Sequence, residues 1–485
     1  RMHAFAYLHG HEVGGTNPSL LEALAATNLN LLLGVGFNRE VAENSALYWT
    51  KDSGNLCETM KQAEKLSHEE IMDYGHRAKE RIRREYSWES ITERYESMFL
   101  SDVKVLNDKQ VSRIAMLGHK RIPTREGGIE IVVKELSTRM VQRGKRVTVY
   151  NRHRKKEPVL HEYMGVRLIE TGAINMKGIE AFTYSIIATL RAVCGKFEVI
   201  HFHAEGPCAM IWLPHLLRIP TVATIHGLDW QRAKWGGFAS WYIHLGEYMA
   251  VRHADRIIVL SRNVQRYFME TYHRETEFIE NGIASMPYRE ADLITKKLGV
   301  KKDDYLLFLG RIVPEKGLHY LIEAFGQIKT DKKLIIAGAS GQTDEYFEEI
   351  KKLLSKDERV QLAGFVEGAF LEELYSNCCY YVLPSDVEGM AISLLEAMSY
   401  GCNCLVSDIE ENTEVTGEYA YTFSKGNVAD LKEKLEYMLL HEKEINMPQK
   451  KQEIRAYIEE KYSWDHVVNE TFKLYEAIQK RRNNK

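Results

Sequence analysis

Short apolar runs of strand length alternate with amphipathic helical stretches along most of this chain, and the alternation is completed twice. In the first pass RVTVY (146–150), VRLIET (166–171), EVIHFH (198–203), TVATIHG (221–227), RIIVLS (256–261) and EFIENGI (277–283) are separated by helical stretches such as residues 179–193. After Pro287 the pattern restarts with YLLFLGRI (305–312), KLIIAGA (333–339), VQLAGFV (360–366), CYYVLPS (379–385) and CLVSD (404–408). Such alternation builds a parallel sheet with helices on both faces. The expectation is an α/β protein with two Rossmann-like sheets, whose ligands bind beyond the carboxyl ends of the strands.

At 485 residues, with 45% apolar and 27% charged residues, the chain has material for several cores and reads as neither disordered nor fibrous. A net charge of -3 argues against a nucleic-acid binder, which needs a basic surface. Locally, RGKRVTVYNRHRKK (143–156) carries seven Lys or Arg, a pattern that reads first as a solvated rim and second as a surface for an anionic membrane or acceptor. None of the seven cysteines has metal-ligand spacing. Cys378, Cys379, Cys402 and Cys404 lie in strand-like apolar runs, where buried free thiols imply a reducing compartment. No run of 18 apolar residues and no secretory leader is read, so the expected location is cytoplasmic, or peripheral at the inner face of a membrane.

The chain also repeats itself. PSLLEAL (18–24) echoes ISLLEAM (392–398), Asn38-Arg39-Glu40-Val41 echoes Asn412-Thr413-Glu414-Val415, and Tyr86-Ser87-Trp88 echoes Tyr462-Ser463-Trp464, at separations of 374, 374 and 376 residues. Residues 1–106 are therefore expected to be the partial C-terminal end of one module plus a linker, and the chain from 112 onward a complete second module. The opening on Arg1 fits a fragment. In the leading copy Gly14 falls where Glu388 stands, with Glu12 displaced by two. A half-sheet of this kind is expected to expose an unpaired edge and apolar helix faces such as Leu20, Leu21 and Leu24.

Candidate chemistry concentrates in PSDVEGMAISLLEAM (384–398), which reads as loop then helix after the strand CCYYVL. Free backbone N–H groups and the helix dipole near Ala391 attract a phosphate. Glu388 and Glu396 flank that point, with Gly389 and Met390 between them. Gly127-Gly128 opens a helix after the first strand of the second module, where backbone without Cβ approaches a phosphate closely. His226 ends a strand, as does the turn holding Arg311 and Lys316, two cations suited to a diphosphate. Asn281-Gly282 forms a turn, and Gly364-Phe365-Val366 follows another strand.

These segments resemble retaining glycosyltransferases of the GT-B fold, family 4 in particular, in the E-x7-E stretch with PS, EG and LLEAM and in the G-R-x-x-x-x-K-G turn at residues 310–317. HGHEVGGTNPSLLEALA (9–25) resembles the rhamnosyltransferase-type branch of that superfamily. The resemblance implies two Rossmann-like domains facing a cleft, an acceptor domain at 112–286 and a donor domain at 287–461. A helix at 462–485 would cross back to the first domain. It implies that Gly127, Gly128, Arg311 and Lys316 hold the donor diphosphate, Glu396 the ribose, and His226 with Glu388 the sugar. Asn281, Val366, Gly389 and Met390 complete the donor site. The implied substrates are a nucleoside-diphosphate sugar and a glycan or lipid-linked acceptor in bacterial surface polysaccharide synthesis. No cofactor is expected, and Asp386-Val387-Glu388 belongs to the E-x7-E register, so no metal is expected either. A residue stretch at 234–249, KWGGFASWYIHLGEYM, is read as a buried helix or a surface for a lipid-linked acceptor. A sugar-nucleotide epimerase using the same cleft and a non-catalytic scaffold are the alternatives.

Overall fold

The computed structural model describes residues 4–12, 16–88, 91–92, 113–154, 158–174, 179–231, 237–339 and 344–483. It divides into two compact units, Arg1–Gln110 and Val111–Lys485.

In the first unit, strands β1 (Tyr7–His9), β2 (Asn30–Leu33) and β3 (Leu47–Trp49) pair in that order, all parallel. Helix Pro18–Ala26 starts where the Asn17 side chain accepts the Ser19 N–H. Its apolar face does not behave as the sequence suggested: Leu20 and Leu24 are fully buried, and Leu21 is partly so. The reason is helix His68–Glu85, begun by a Ser67–Glu70 capping box, which lays Ala78 and Ile82 over that face. The position of Gly14 lies outside the described residues, whereas Glu12 pairs with Lys51.

The internal repeat is geometric as well as textual. Asn38 Nδ2 donates to Leu33 O at 3.0 Å, and Asn412 Nδ2 donates to Ser407 O at 3.3 Å. The helices that hold these asparagines end at Glu43 (φ 45°, ψ -117°) and Gly417 (φ 55°, ψ -129°), the same unusual backbone conformation in both copies.

The second unit contains two sheets. The first joins β4 (Arg113–Leu117), β5 (Arg146–Arg152), β6 (Glu162–Tyr163), β7 (Val166–Thr171), β8 (Val199–His203), β9 (Thr221–Ile225), β10 (Arg256–Val259) and β11 (Glu277–Phe278) in the order 11-10-9-8-4-5-7-6. The second joins β12 (Tyr305–Leu309), β13 (Lys333–Ala337), β14 (Val360–Gly364), β15 (Tyr380–Leu383), β16 (Cys404–Ser407) and β17 (Ala420–Phe423) in the order 14-13-12-15-16-17. Every pairing is parallel except β6 with β7, an edge pair too short to show in the sequence pattern. Winding reverses between β4 and β8 in one sheet and between β12 and β15 in the other. These reversals open the crevices in which doubly wound sheets bind ligands.

The chain passes between the sheets twice, and the two passes are tied together where the Ile283 N–H donates to Tyr462 O at 2.9 Å. After the bend at Tyr462, helix Trp464–Asn483 packs on helix Gly128–Gln142 and contributes Trp464, Val467, Val468, Tyr475 and Ile478 to the first sheet's core. Cys378, Cys379, Cys402 and Cys404 are buried free thiols. Among the described residues of the basic stretch at 143–156, four cations have partners within the protein. Arg143 pairs with Asp465, Arg154 with Glu126, Arg152 lies over Tyr184 and Lys145 over Phe472. Among the described residues no helix is long and apolar enough to cross a membrane.

Candidate active site

The loops after β4, β12 and β15 are three of the four next to the two reversals, and they carry most of the residues singled out from sequence. Gly128 begins helix Gly128–Gln142, Ile392 begins helix Ile392–Ser399, and a Cβ on Gly128 would lie 3.6 Å from Ile392 Cδ1. Two helix N-termini, one from each sheet, therefore meet across the cleft, and their unpaired N–H groups and dipoles favour an anion between them.

Backbone contact closes the cleft beside this point. A Cβ on Gly389 would lie 1.7 Å from His226 O, so glycine is required for the loop of one sheet to touch the other. His226 and Glu388 are brought to adjacent walls by this contact. The turn after β12 is fixed in the same way: Gly317, at φ 62°, leaves no room for a Cβ, which would lie 2.0 Å from Pro384 O. The Asp386 N–H donates to Glu315 O at 2.9 Å, and Arg311 lies half-buried in that turn.

Both acids of the E-x7-E pair are held by cations. Lys316 forms an ion pair with Glu388, whose Oε1 also accepts the Ser385 hydroxyl at 2.6 Å. Arg125 forms an ion pair with Glu396, whose Oε2 accepts the Tyr375 hydroxyl at 3.1 Å. Burial opposes the Arg125 charge, but the Glu396 carboxylate outweighs it and the guanidinium pKa is raised. Burial, then the Glu396 charge, holds the Tyr375 phenol well above its ordinary range, so it remains a donor. Asp386 and Glu388 turn to different partners, Asp386 accepting the Tyr320 hydroxyl at 3.2 Å.

Met390 is buried, and its sulfur accepts the Asn281 N–H at 3.1 Å, joining the turn at the end of the first sheet to the loop at 384–391. Gly282 adjoins Trp464, where a Cβ would lie 2.4 Å from the backbone nitrogen. Val366 is buried in the second sheet's core, with Phe365 exposed beside it.

Sequence reasoning missed four side chains. Arg125 sits directly before the Glu126-Gly127-Gly128 segment, so its nearness to a phosphate loop was visible, but its partner Glu396 was not. Tyr375 and Ser385 orient the two acids and carry no sequence signal of their own. His203 places Nδ1 3.2 Å from His226 Nε2 and is fully buried. Its spacing with His201 on a strand was a legible sign that both face one side.

Residues 126–285 match the family described as Glycosyltransferase Family 4, and residues 290–458 match Glycosyl transferases group 1. With the two facing sheets, these matches define the second unit as a glycosyltransferase of the GT-B group. The chain is 27% identical over 391 residues to an uncharacterised glycosyltransferase, MJ1607, of Methanocaldococcus jannaschii, covering 75% of this chain and 97% of that protein. In fold it is similar to the sucrose-phosphate synthase of Thermosynechococcus elongatus, with a TM-score of 0.66 at 18% identity, covering 76% of this chain and all of the other. It is likewise similar to Anabaena Alr3699/HepE in complex with UDP and glucose, with a TM-score of 0.63 at 17% identity, covering 76% of this chain and 100% of that one.

Proposed function

We propose that residues 112–485 catalyse retaining transfer of a hexosyl or deoxyhexosyl group from a nucleoside diphosphate to a hydroxyl of a glycan or lipid-linked acceptor. The observation that carries this reading is the meeting of two helix N-termini between two cation-held carboxylates, Glu388 with Lys316 and Glu396 with Arg125. A diphosphate fits the helix ends, and a carboxylate on each side accepts hydroxyl hydrogen bonds, from the ribose at Glu396 and from the sugar at Glu388. His226 contacts the sugar from the wall beside Glu388. Asn281, Gly389 and Met390 belong to the donor site, and the segment at Val366 reaches the nucleotide base through its backbone. The Anabaena relative's complex with UDP and glucose supports this class of donor.

In the transfer step the bond from the sugar C1 to the diphosphate oxygen breaks as the acceptor oxygen bonds to C1 on the same face. The acceptor proton passes to the departing phosphate oxygen. Arg311, Lys316 and the helix ends stabilise the negative charge developing there, so no metal is needed. The buried free thiols support a reducing, cytoplasmic location. Trp241 and Tyr248, exposed on helix Gly237–His253, offer an apolar surface for a lipid-linked acceptor at the inner face of a membrane. The setting we propose is synthesis of a bacterial capsule, exopolysaccharide or lipopolysaccharide, with residues 1–106 a rhamnosyltransferase-like fragment.

Thermal stabilisation by UDP-glucose, ADP-glucose and GDP-mannose, followed by slow hydrolysis of whichever stabilises, tests the proposal. Stabilisation by none of a wider panel of nucleotide sugars contradicts it. Conversion of the sugar nucleotide to an epimer without acceptor would establish the epimerase instead.

A further inference from the structure

His201 and His203 on β8 and Thr224 on β9 face the same side of the first sheet, and His226 follows Thr224 by two residues. Strand register sets His203 opposite Thr224. The His201 and His203 rings stack with centroids 4.3 Å apart, and His203 Nδ1 lies 3.2 Å from His226 Nε2. His201 is satisfied at both nitrogens, with Nε2 2.7 Å from Thr224 Oγ1 and Nδ1 2.7 Å from the Tyr475 hydroxyl of the returning helix. We infer that His203 is a positioning residue that fixes the ring and the tautomer of His226, and that Tyr475 anchors it through His201. This rests on the reading of His226 as the residue that contacts the transferred sugar.

The tautomer follows from hydrogen-bond accounting. His203 is fully buried, and burial, then His201, His226 and His119, lowers its pKa well below the ordinary value, so it carries one N–H. Its Nε2 is buried with no hydrogen-bond partner among the described residues. An orphaned buried N–H is rarer and costlier than an orphaned acceptor, so the proton sits on Nδ1. From there it donates to His226 Nε2, which leaves the His226 proton on Nδ1. A His226 held in this way is not a base at Nε2. Its proton lies on Nδ1, which leaves the acceptor proton to the departing phosphate.

The test is nitrogen NMR of the full chain labelled with 15N-histidine, with the His226 signals assigned by their loss in His226→Gln. The expected spectrum has a protonated Nδ1 and an unprotonated Nε2 for His226. In His203→Leu this pattern is lost, whereas in His203→Asn, whose Nδ2–H stands where the imidazole Nδ1–H was, it is retained. Tyr475→Phe shifts the His201 and His203 signals. Hydrolysis of UDP-glucose, ADP-glucose or GDP-mannose, whichever is turned over, slows about tenfold in kcat for His203→Leu with KM little changed, and recovers in His203→Asn. A wild-type His226 protonated on Nε2, or a His226 tautomer unchanged in His203→Leu, overturns the positioning role. Unchanged His201 signals in Tyr475→Phe overturn the anchor. Should His203→Leu not fold, the wild-type spectrum and His203→Asn still decide. Normal turnover by His226→Gln would remove the sugar-contact reading while leaving the tautomer result to stand or fall by itself.

Discussion

Arg125 and Glu396, 271 residues apart in sequence, form an ion pair that joins the first βα loop of one sheet to the helix after β15 of the other. The Glu396 side chain is only 5% exposed and that of Arg125 27% exposed, so the pair is shielded from solvent on the carboxylate side. Removing one partner strands a buried charge, whereas removing both does not.

Arg125→Ala is accordingly expected to destabilise the protein by about 1–3 kcal/mol, as for a buried acceptor left without its donor. Adding Glu396→Gln recovers part of that loss. A double-mutant cycle by denaturant unfolding measures the coupling, and strictly additive costs would show the pair to be energetically idle.

Much of the fold was legible because the second unit is built of parallel strands with continuous apolar runs, from TVATI to YYVL. The strand, loop and helix around residues 384–398 were readable from period alone. What was not legible is what faces what. The Arg125–Glu396 and Lys316–Glu388 pairs, and the contact of Gly389 with His226, arise only when two separately wound sheets close on each other. The two-residue β6 is too short to register, and β17, only partly buried, lacks the continuous apolar run of β15 and β16. In the first unit, the helix that buries Leu20 and Leu24 lies about fifty residues further along the chain, beyond any local pattern.

Charge at the leaving group is supplied by protein cations in this account. Arg311→Ala is expected to lower kcat/KM by about 10², the cost of one preorganised donor, measured on the donor that stabilises the protein. EDTA is expected to leave transfer intact. Activity lost to EDTA and restored by Mg²⁺ or Mn²⁺ would bring a metal to Asp386 and Glu388.

Glu205, fully buried after β8, has its carboxyl pKa raised well above the ordinary 4.5 by burial first, then by Asp229 and Glu247. The folded protein thus keeps a proton that the unfolded chain releases. The stability linked to this group is full below the unfolded value of 4.5 and is lost as pH rises through the folded value. Thermal midpoints across that range should fall less steeply in Glu205→Gln than in the wild type. Identical slopes would show that Glu205 is ionised in the folded state.

A chain starting near Asn107 is expected to keep donor binding and transfer, because every residue assigned to the site lies beyond position 111. Residues 1–106 alone are expected to bind no nucleotide sugar, since they hold no counterpart of His226, Arg311 or the Gly127-Gly128 loop. Calorimetry on both pieces checks this. A shortened chain that folds but no longer transfers would mean that the leading unit completes the site.

A cleft that holds donor and acceptor on one face of the sugar retains configuration at C1. Proton NMR of the sugar released from an α-linked nucleotide donor, recorded before the anomers equilibrate, reads this directly. The α anomer is expected as the first product. A β anomer appearing first would contradict it.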